Sequence, residues 1–369
     1  MRIAVDAMGG DRAPAAVVEG AVLASRELAV DIVLVGQADA VERELARYWP
    51  RPAVEIVAAS EIVGMSESPS AALKKKDSSM AVAFSLAERR QVQAVVSAGN
   101  SGAVMATGMF VLGKLAGVER PAILCVIPTL TKGTVIIDAG ANVDCKPRHL
   151  LQFGLMGSIY AERVLGILRP RVGILSNGEE QSKGNDLTRA ASELLRSAPV
   201  NYVGYAEGRD IAAGVVDVVV CDGFTGNVVL KTMEGTASFV MRVIKRAFGA
   251  SLLARAGYVL SRKSLEEARA RLDYAEYGGA PLLGLGGVAI VAHGGSGPKA
   301  IKNAIRAARE AVLHDVNRHI EQALAALGEG EPGKGARPLR QRTGASAEGG
   351  ERAAVAGTDK RETNGESGT

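Results

Sequence analysis

The 369-residue chain predicts an α/β fold in which a mainly parallel sheet lies between helices. Two observations lead there. Short apolar segments ending in Gly-rich or polar turns alternate with longer segments of helical spacing. The chain is also 47% hydrophobic but only 4% aromatic. Its core must therefore be built from Ala, Val, Leu and Ile, which suits alternating strands and helices better than an aromatic-rich sandwich.

The first unit is MRIAVDAMGGDRAP. Ile3-Ala4-Val5 reads as a short buried strand with Asp6 at its end, followed by Gly9-Gly10, Asp11 and an apolar run of helical spacing (Ala15, Val17, Val18, Ala21, Val22). A Gly-rich strand-to-helix turn is where an α/β protein usually holds a ligand. This turn lacks the G-x-G-x-x-G spacing of a nicotinamide site and carries no Ser or Cys nucleophile. Further strands are expected over 31–35, 54–58, 94–97, 123–127, 135–138, 172–175, 202–205, 216–221 and 288–292. Helices are expected over 38–47, 101–115, 147–165, 186–197 and 298–327, with Asp186 as a helix cap. Residues 122–138 depart from the alternation, because the short turn Leu130-Thr131-Lys132-Gly133 predicts an antiparallel hairpin.

From Gly328 the chain turns to Gly, Ala, Arg, Glu and Thr, with too little apolar surface to offset its ordering entropy. A folded domain over 1–327 and a disordered tail over 328–369 are therefore expected. The tail holds seven basic and seven acidic residues, so the net charge of +4 belongs to the folded body. Cys125, Cys145 and Cys221 have neither disulfide nor zinc spacing, which suits a reducing cytoplasm. Asp6, Asp11 and Arg12 interrupt any signal-peptide core, and no apolar run is long enough to span a bilayer.

Chemistry concentrates at the strand ends. SAGNSGA carries Asn100 and Ser101; DAGANVDCKPRH carries Asp138, Asn142, Asp144, Lys146, Arg148 and His149. SNGEEQSKGND carries Asn177, Glu179, Glu180 and Lys183, CDGFTGNVVLK carries Asp222, Thr225 and Asn227, and AHGGSGPKA opens on His293. Gly-rich turns at helix starts expose backbone N–H groups where the helix dipole favours an anion. Repeated in one chain beside Lys183 and several Asn, they suggest a phosphate or oxyanion pocket. Taken singly, each has a plainer reading. A Gly-Asn-Ser-Gly loop can be only a turn, His149 can bond a backbone carbonyl instead of acting as a base, and Cys221 is a small core residue. The spacing of Asp6, Asp11 and Asp222 does not support a metal site.

Taken together, MRIAVDAMGGDRAP, SAGNSGA, IDAGANVDCKPRHLLQFGLMG, EEQSKGND, CDGFTGNVVLK and YGGAPLLGLGG resemble the motifs of the acyl-ACP:phosphate acyltransferases of bacterial phospholipid synthesis, in unbroken order from Met1 to about Leu327. The resemblance implies a three-layer α/β/α sandwich similar to the isocitrate/isopropylmalate dehydrogenases and phosphate acetyltransferases. It implies transfer of a fatty acyl group from acyl carrier protein to inorganic phosphate, without cofactor, metal or nucleic acid. It further implies a homodimer at the inner face of the membrane, beside a glycerol-3-phosphate acyltransferase that uses the product. Lys183 is assigned by resemblance to phosphate or the oxyanion, and Asn227 to hydrogen bonding at the same centre. Asp6, Gly9, Gly10, Asp11, Asn100, Ser101, Asn142, His149 and His293 are assigned to substrate binding. Two other classes stay open: a short-chain phosphate acetyltransferase using coenzyme A, and a non-catalytic membrane scaffold for acyl carrier protein.

Between Glu234 and Glu266 there is no acidic residue but six basic ones, Arg242, Lys245, Arg246, Arg255, Arg262 and Lys263. Apolar residues of helical spacing lie among them, and Gly249 and Gly257 are expected to break the region near 239–272 into short helices. Such a segment suits anionic lipid, with Leu252, Leu253, Val259 and Leu260 as membrane contacts. A core-packing or dimer-forming helix pair is the competing reading.

Overall fold

The computed structural model describes residues 1–129, 133–249, 251–272 and 278–329. Its first half runs β1 (Arg2–Asp6), α1 (Ala15–Glu27), β2 (Asp31–Gly36), α2 (Ala38–Leu45), β3 (Val54–Ala58), α3 (Pro69–Ala72), α4 (Ser79–Glu88), β4 (Ala94–Ser97) and α5 (Ser101–Val111). Then come β5 (Ala122–Ile127), β6 (Thr134–Ile137), α6 (Pro147–Arg163), β7 (Arg171–Leu175), α7 (Asp186–Arg196), β8 (Asn201–Ala206), α8 (Gly208–Ala213) and β9 (Val218–Val220). The last elements are α9 (Gly223–Gly249), α10 (Leu252–Leu272), β10 (Ala280–Leu283), β11 (Val288–Val291), α11 (Pro298–Leu313) and α12 (Val316–Glu329).

The strands form one sheet in the order β3-β2-β1-β4-β11-β10-β5-β6-β9-β7-β8. Pairing is parallel except at its centre, where β11/β10, β10/β5 and β5/β6 are antiparallel. Alternate residues of each strand face opposite layers. Ala4, Val95, Ile136 and Val219 join a cluster with α3, α4, α5, α8 and the first turns of α9. On the other face, Ile3, Val5 and Val96 pack on α1, α2 and α11, while Val135, Ile137 and Val220 pack on α6, α7 and α12. The result is a three-layer α/β/α sandwich with a core of small aliphatic residues.

All ten expected strands are present, and the hairpin of β5 and β6 is antiparallel. Its turn residues Leu130, Thr131 and Lys132 lie outside the described residues, as does the chain from Gly330 onward, where most of the expected tail falls. Several expectations are corrected. The helix expected over 298–327 is two, because Asp315 has φ 49° between α11 and α12. Strand β10 is additional; its motif YGGAPLLGLGG is too short and Gly-rich to show a period. Helix α7 is capped by the Asn185 side chain, which accepts the Thr188 N–H at 2.9 Å, and Asp186 is its first helical residue. The basic segment is not a series of short helices. It belongs to two long ones, α9 and α10, and Gly257 lies inside α10. Helix α9 starts as early as Gly223 because Asp222 accepts the Thr225 N–H (2.9 Å) and hydroxyl (2.7 Å), an N-cap hidden within CDGFTGN.

Candidate active site

Two loop sets gather the polar residues, one after β1, β4 and β11 and one after β6, β7 and β9. Each is built around a buried acid. In the first, Asp6 is 1% exposed and accepts the Ser97 hydroxyl at 2.7 Å and the Met8 N–H at 3.2 Å. Burial raises its carboxyl above the ordinary range, against the Ser79 and Ser97 hydroxyls, which pull it down. A side chain at Gly9 would meet the Asp6 carboxylate at 2.6 Å, and Gly10 has φ 103°, which lets Asp11 N–H reach the Gly294 carbonyl at 2.8 Å. Asn100 caps α5 by accepting Ala103 N–H at 3.0 Å and donates to the Met65 carbonyl at 2.7 Å; Ser101 follows, exposed. His293 is exposed, and its Nδ1 accepts Gly295 N–H at 3.0 Å, so a neutral ring carries its proton on Nε2.

The second set is tighter. Asp138 has no exposed surface. Its Oδ1 accepts the N–H groups of Ile123, Gly140 and Ala141 at 3.0, 3.1 and 3.0 Å. Its Oδ2 accepts Asn142 N–H at 2.6 Å and Nδ2 at 2.8 Å. Burial pushes this carboxyl up and the donors oppose it, but all five partners can only donate, so the loop is shaped to hold the carboxylate. Asn142, whose Nδ2 also donates to the Pro121 carbonyl at 2.8 Å, is thus committed inside the loop. Sequence reading names Asp138 only as one of several strand-end residues and gives neither it nor Ser97 a role, because nothing in the sequence separates them from the other polar residues there.

His149 serves its own helix. Its Nδ1 accepts Lys146 N–H at 3.1 Å and its Nε2 lies 3.2 Å from Glu119. Burial holds its imidazolium below the usual range; Glu119 opposes this, while Arg120 and Lys146 add to it.

Lys183 and Asn227 differ from all of these. Both are exposed, and among the described residues neither side chain has a hydrogen-bond or ionic partner. Lys183 lies in the β7–α7 loop with its stem over Gly178. Asn227 stands in the first turns of α9, with its side chain 3.6–3.7 Å from where a Cβ on Gly140 would be. The thiols are unsuited to nucleophilic work: burial pushes Cys125 and Cys145 up to about 12, and Cys221 well above the ordinary thiol range. Glu179, Glu207 and Asp210 bring carboxylates within 4.8 Å of one another. Arg209 pairs with Glu207 at 2.5 Å and with Glu179 at 3.7 Å, and Asp210 accepts Glu207 N–H at 2.7 Å, so all three already have local partners.

Between α9, α10 and the end of β5 lies a groove of about 950 Å³, with His293 in its wall. Helix α9 supplies Leu230, Met233, Ala237, Met241 and Ile244 to it.

The fold is that of the phosphotransacylases. The chain superposes on a phosphotransacetylase from Streptococcus pyogenes with a TM-score of 0.56 at 16% identity, covering 84% of this chain and 94% of that one. A branched-chain phosphotransacylase from Enterococcus faecalis gives 0.54 at 13% identity, with 85% and 99% covered. At such identities the likeness concerns the fold alone. Sequence carries the comparison further. Residues 1–319 match the family model described as fatty acid synthesis protein. The chain is 54% identical over 349 residues to the phosphate acyltransferase of Citrifermentans bemidjiense, covering 94% of this chain and 97% of that one. It is 53% identical over 326 residues to that of Geobacter sulfurreducens, with 88% and 94% covered. The chain belongs to this phosphate acyltransferase family and is an acyltransferase of lipid synthesis.

Proposed function

We propose that the enzyme transfers a fatty acyl group from acyl carrier protein to inorganic phosphate, giving acyl phosphate for phosphatidic acid and phospholipid synthesis. The observation that carries this reading is the uncommitted pair Lys183 and Asn227 at the ends of the adjacent strands β7 and β9. A phosphate oxygen attacks the thioester carbonyl, the C–S bond breaks, and the carrier thiol leaves with a proton. Phosphate is already an anionic nucleophile, so no Ser-His pair is required, and the high thiol pKa values argue against an acyl-cysteine intermediate. What the site must supply is orientation and donors for charge moving onto the carbonyl oxygen. Lys183 meets phosphate or that oxyanion, and Asn227 donates a hydrogen bond beside it.

The residues assigned by resemblance fall on both loop sets, and the antiparallel centre would put the two on opposite edges of a flat sheet. Sheets twist by ~20–25° per strand. Over the six steps from β1 to β9 this amounts to roughly 120–150°. Added to the reversal, it would turn the two sets of carboxyl ends to within about 30–60° of one direction. One centre served by Lys183 and Asn227 from one side, and by Asn100, Ser101 and His293 from the other, is therefore geometrically reasonable. Asp6, Asp11, Gly9, Gly10, Asn142 and His149 would support those loops.

The same reading makes the enzyme a homodimer and a peripheral membrane protein. Phe224 with Val228, and Phe239 with Val243, form two exposed apolar patches on α9 that a second copy would cover. No helix of the described residues is long and apolar enough to cross a membrane. Leu253, Val259 and Leu260 are 86%, 70% and 88% exposed on α10 near Arg255, Arg262 and Lys263, which suits shallow insertion into anionic lipid; the Leu252 side chain lies outside the described residues. Binding at that surface would deliver acyl phosphate to a membrane glycerol-3-phosphate acyltransferase. The deciding experiment incubates the purified enzyme with phosphate and either acyl carrier protein thioesters or acetyl-coenzyme A. Acyl phosphate and free carrier are expected with the former; turnover confined to acetyl-coenzyme A would replace this reading with the short-chain one.

A further inference from the structure

We propose that the groove along α9 is the acyl-chain site and that the helix acts as a ruler, with the reacting carbonyl at Asn227 and the methyl end directed toward Lys245. This deepens the reading above and rests on it for the identity of the acyl group. Asn227 precedes the first groove residue of α9, Leu230, by less than one turn. At 100° per residue, Asn227, Leu230, Glu234, Met241 and Lys245 fall on one face of the helix. The half-buried positions of α9 that face the groove carry Leu, Met, Ala and Ile, with Glu234 the one charged residue among them. From α10 the groove is lined by Tyr258 and Leu265. Flexible Leu, Met and Ile side chains along α9 can adapt to a thin, unbranched occupant.

Charge points to the same occupant. Lys231 and Glu234, in the inner part of the groove, pair with each other at 2.8 Å, so that part offers no net charge. An uncharged alkyl chain suits it better than a charged peptide. Farther out, Arg242 and Lys245 are exposed, and a chain reaching them would bring methylenes among charges. A helix rises ~1.5 Å per residue, so Arg242 stands ~22 Å from Asn227. An extended alkyl chain advances ~1.25 Å per carbon, from bonds near 1.5 Å. The ruler therefore ends at about eighteen carbons. Each methylene buried within it should improve affinity about fourfold.

Two substitutions at different depths test this. Ala237 lies ~15 Å from Asn227 along the axis and Met241 ~21 Å, so the first should obstruct chains longer than about twelve carbons and the second those longer than about seventeen. Decanoyl, tetradecanoyl and octadecanoyl carrier protein are compared by kcat/KM. In Ala237→Trp, the tetradecanoyl-to-decanoyl and octadecanoyl-to-decanoyl ratios should both fall at least tenfold. In Met241→Trp only the second ratio should fall. Equal losses at all lengths, a wild-type profile in both variants, or the reverse order would overturn the proposal. So would an unchanged profile with a lost dimer, which would assign the groove to a second copy of the chain. Melting temperatures check folding, and Ala237→Leu stands in if the Trp variant unfolds. If the wild type makes no acyl phosphate from any donor, it is the reading under Proposed function that fails. Displacement of a fluorescent fatty-acid probe by the three free fatty acids then decides the groove by the same order of losses.

Discussion

Asp6 and Asp138 occupy corresponding places, each buried at or just beyond a strand end with its carboxylate tying a Gly-rich loop, yet they are held by different chemistry. Four of the five donors to Asp138 are main-chain amides whose positions the loop and the start of β5 fix. Asp6 leans on hydroxyls, and the Ser97 hydroxyl also accepts Gly99 N–H at 3.1 Å, so it can rotate and exchange partners. A carboxylate that satisfies fixed amides cannot be replaced without orphaning some of them, whereas one that meets hydroxyls can. The loop beside Asn227 is therefore the rigid one, as a group that must be preorganised for the transition state requires.

The largest effect should come from the glycine that lets α9 start against this loop. A Cβ at Gly226 would lie 1.9 Å from the Asp138 carbonyl oxygen, a backbone atom with nowhere to move. Gly226→Ala should lose more than ~4 kcal/mol, the scale reserved for forced clashes and cavities; a urea titration within 1 kcal/mol of wild type would contradict the packing described. Asp138→Asn comes next. Whichever oxygen becomes an amide nitrogen, at least two N–H donors lose their acceptor, at ~1–3 kcal/mol each, or ~2–6 kcal/mol together. Lys183→Ala should leave stability within ~0.5 kcal/mol because the side chain is exposed and unpartnered. It should nevertheless lose ~2.7–4 kcal/mol of transition-state stabilisation, read from kcat/KM, and Asn227→Ala should fall similarly. Undiminished turnover in both folded variants would remove the assignment.

Asp6→Asn sharpens the contrast, since Ser97 can turn to accept the new amide while the remaining oxygen keeps Met8 N–H; ~1 kcal/mol is expected. A loss equal to that of Asp138→Asn would abolish the distinction between the two loops. The smallest effect concerns pH. The lowered pKa of His149 favours its neutral ring in the folded state. Its contribution to stability is therefore complete above the unfolded value of 6.5 and is lost as pH falls through the lowered folded value. His149→Gln should reduce the drop in urea midpoint between pH 7.5 and pH 5; parallel drops in the two proteins would argue that the ring is not held neutral.

The fold was legible because it rests on local pattern. Short continuous apolar segments such as Ile3–Val5 and 94–97 bury both faces of a central strand, and no tertiary partner is needed to recognise them. Helix α9 was legible only in its outer half. Its first turns, GFTGN, look like loop until the Asp222 cap is seen. The candidate site was legible as a set of loops but not in its division of labour. Nothing in sequence separates Asn142, whose amide is spent on Asp138 and Pro121, from Asn227, whose amide is uncommitted.

The sequence by itself determined what short-range physics and composition control: the alternation of strands and helices, the aliphatic core, the β5–β6 hairpin, the family motifs and their order. Only the tertiary structure decided the antiparallel centre of the sheet, the insertion of β10, the committed partners of Asp6, Asp138 and His149, and the groove beside α9. Some of these commitments are local, as between His149 and Lys146, but the decisive ones are not. Strand order and hydrogen-bond commitment are settled between residues far apart in the chain, such as Asp6 with Ser97 and Ile123 with Asp138, where a donor's partner depends on which groups folding brings within 3 Å.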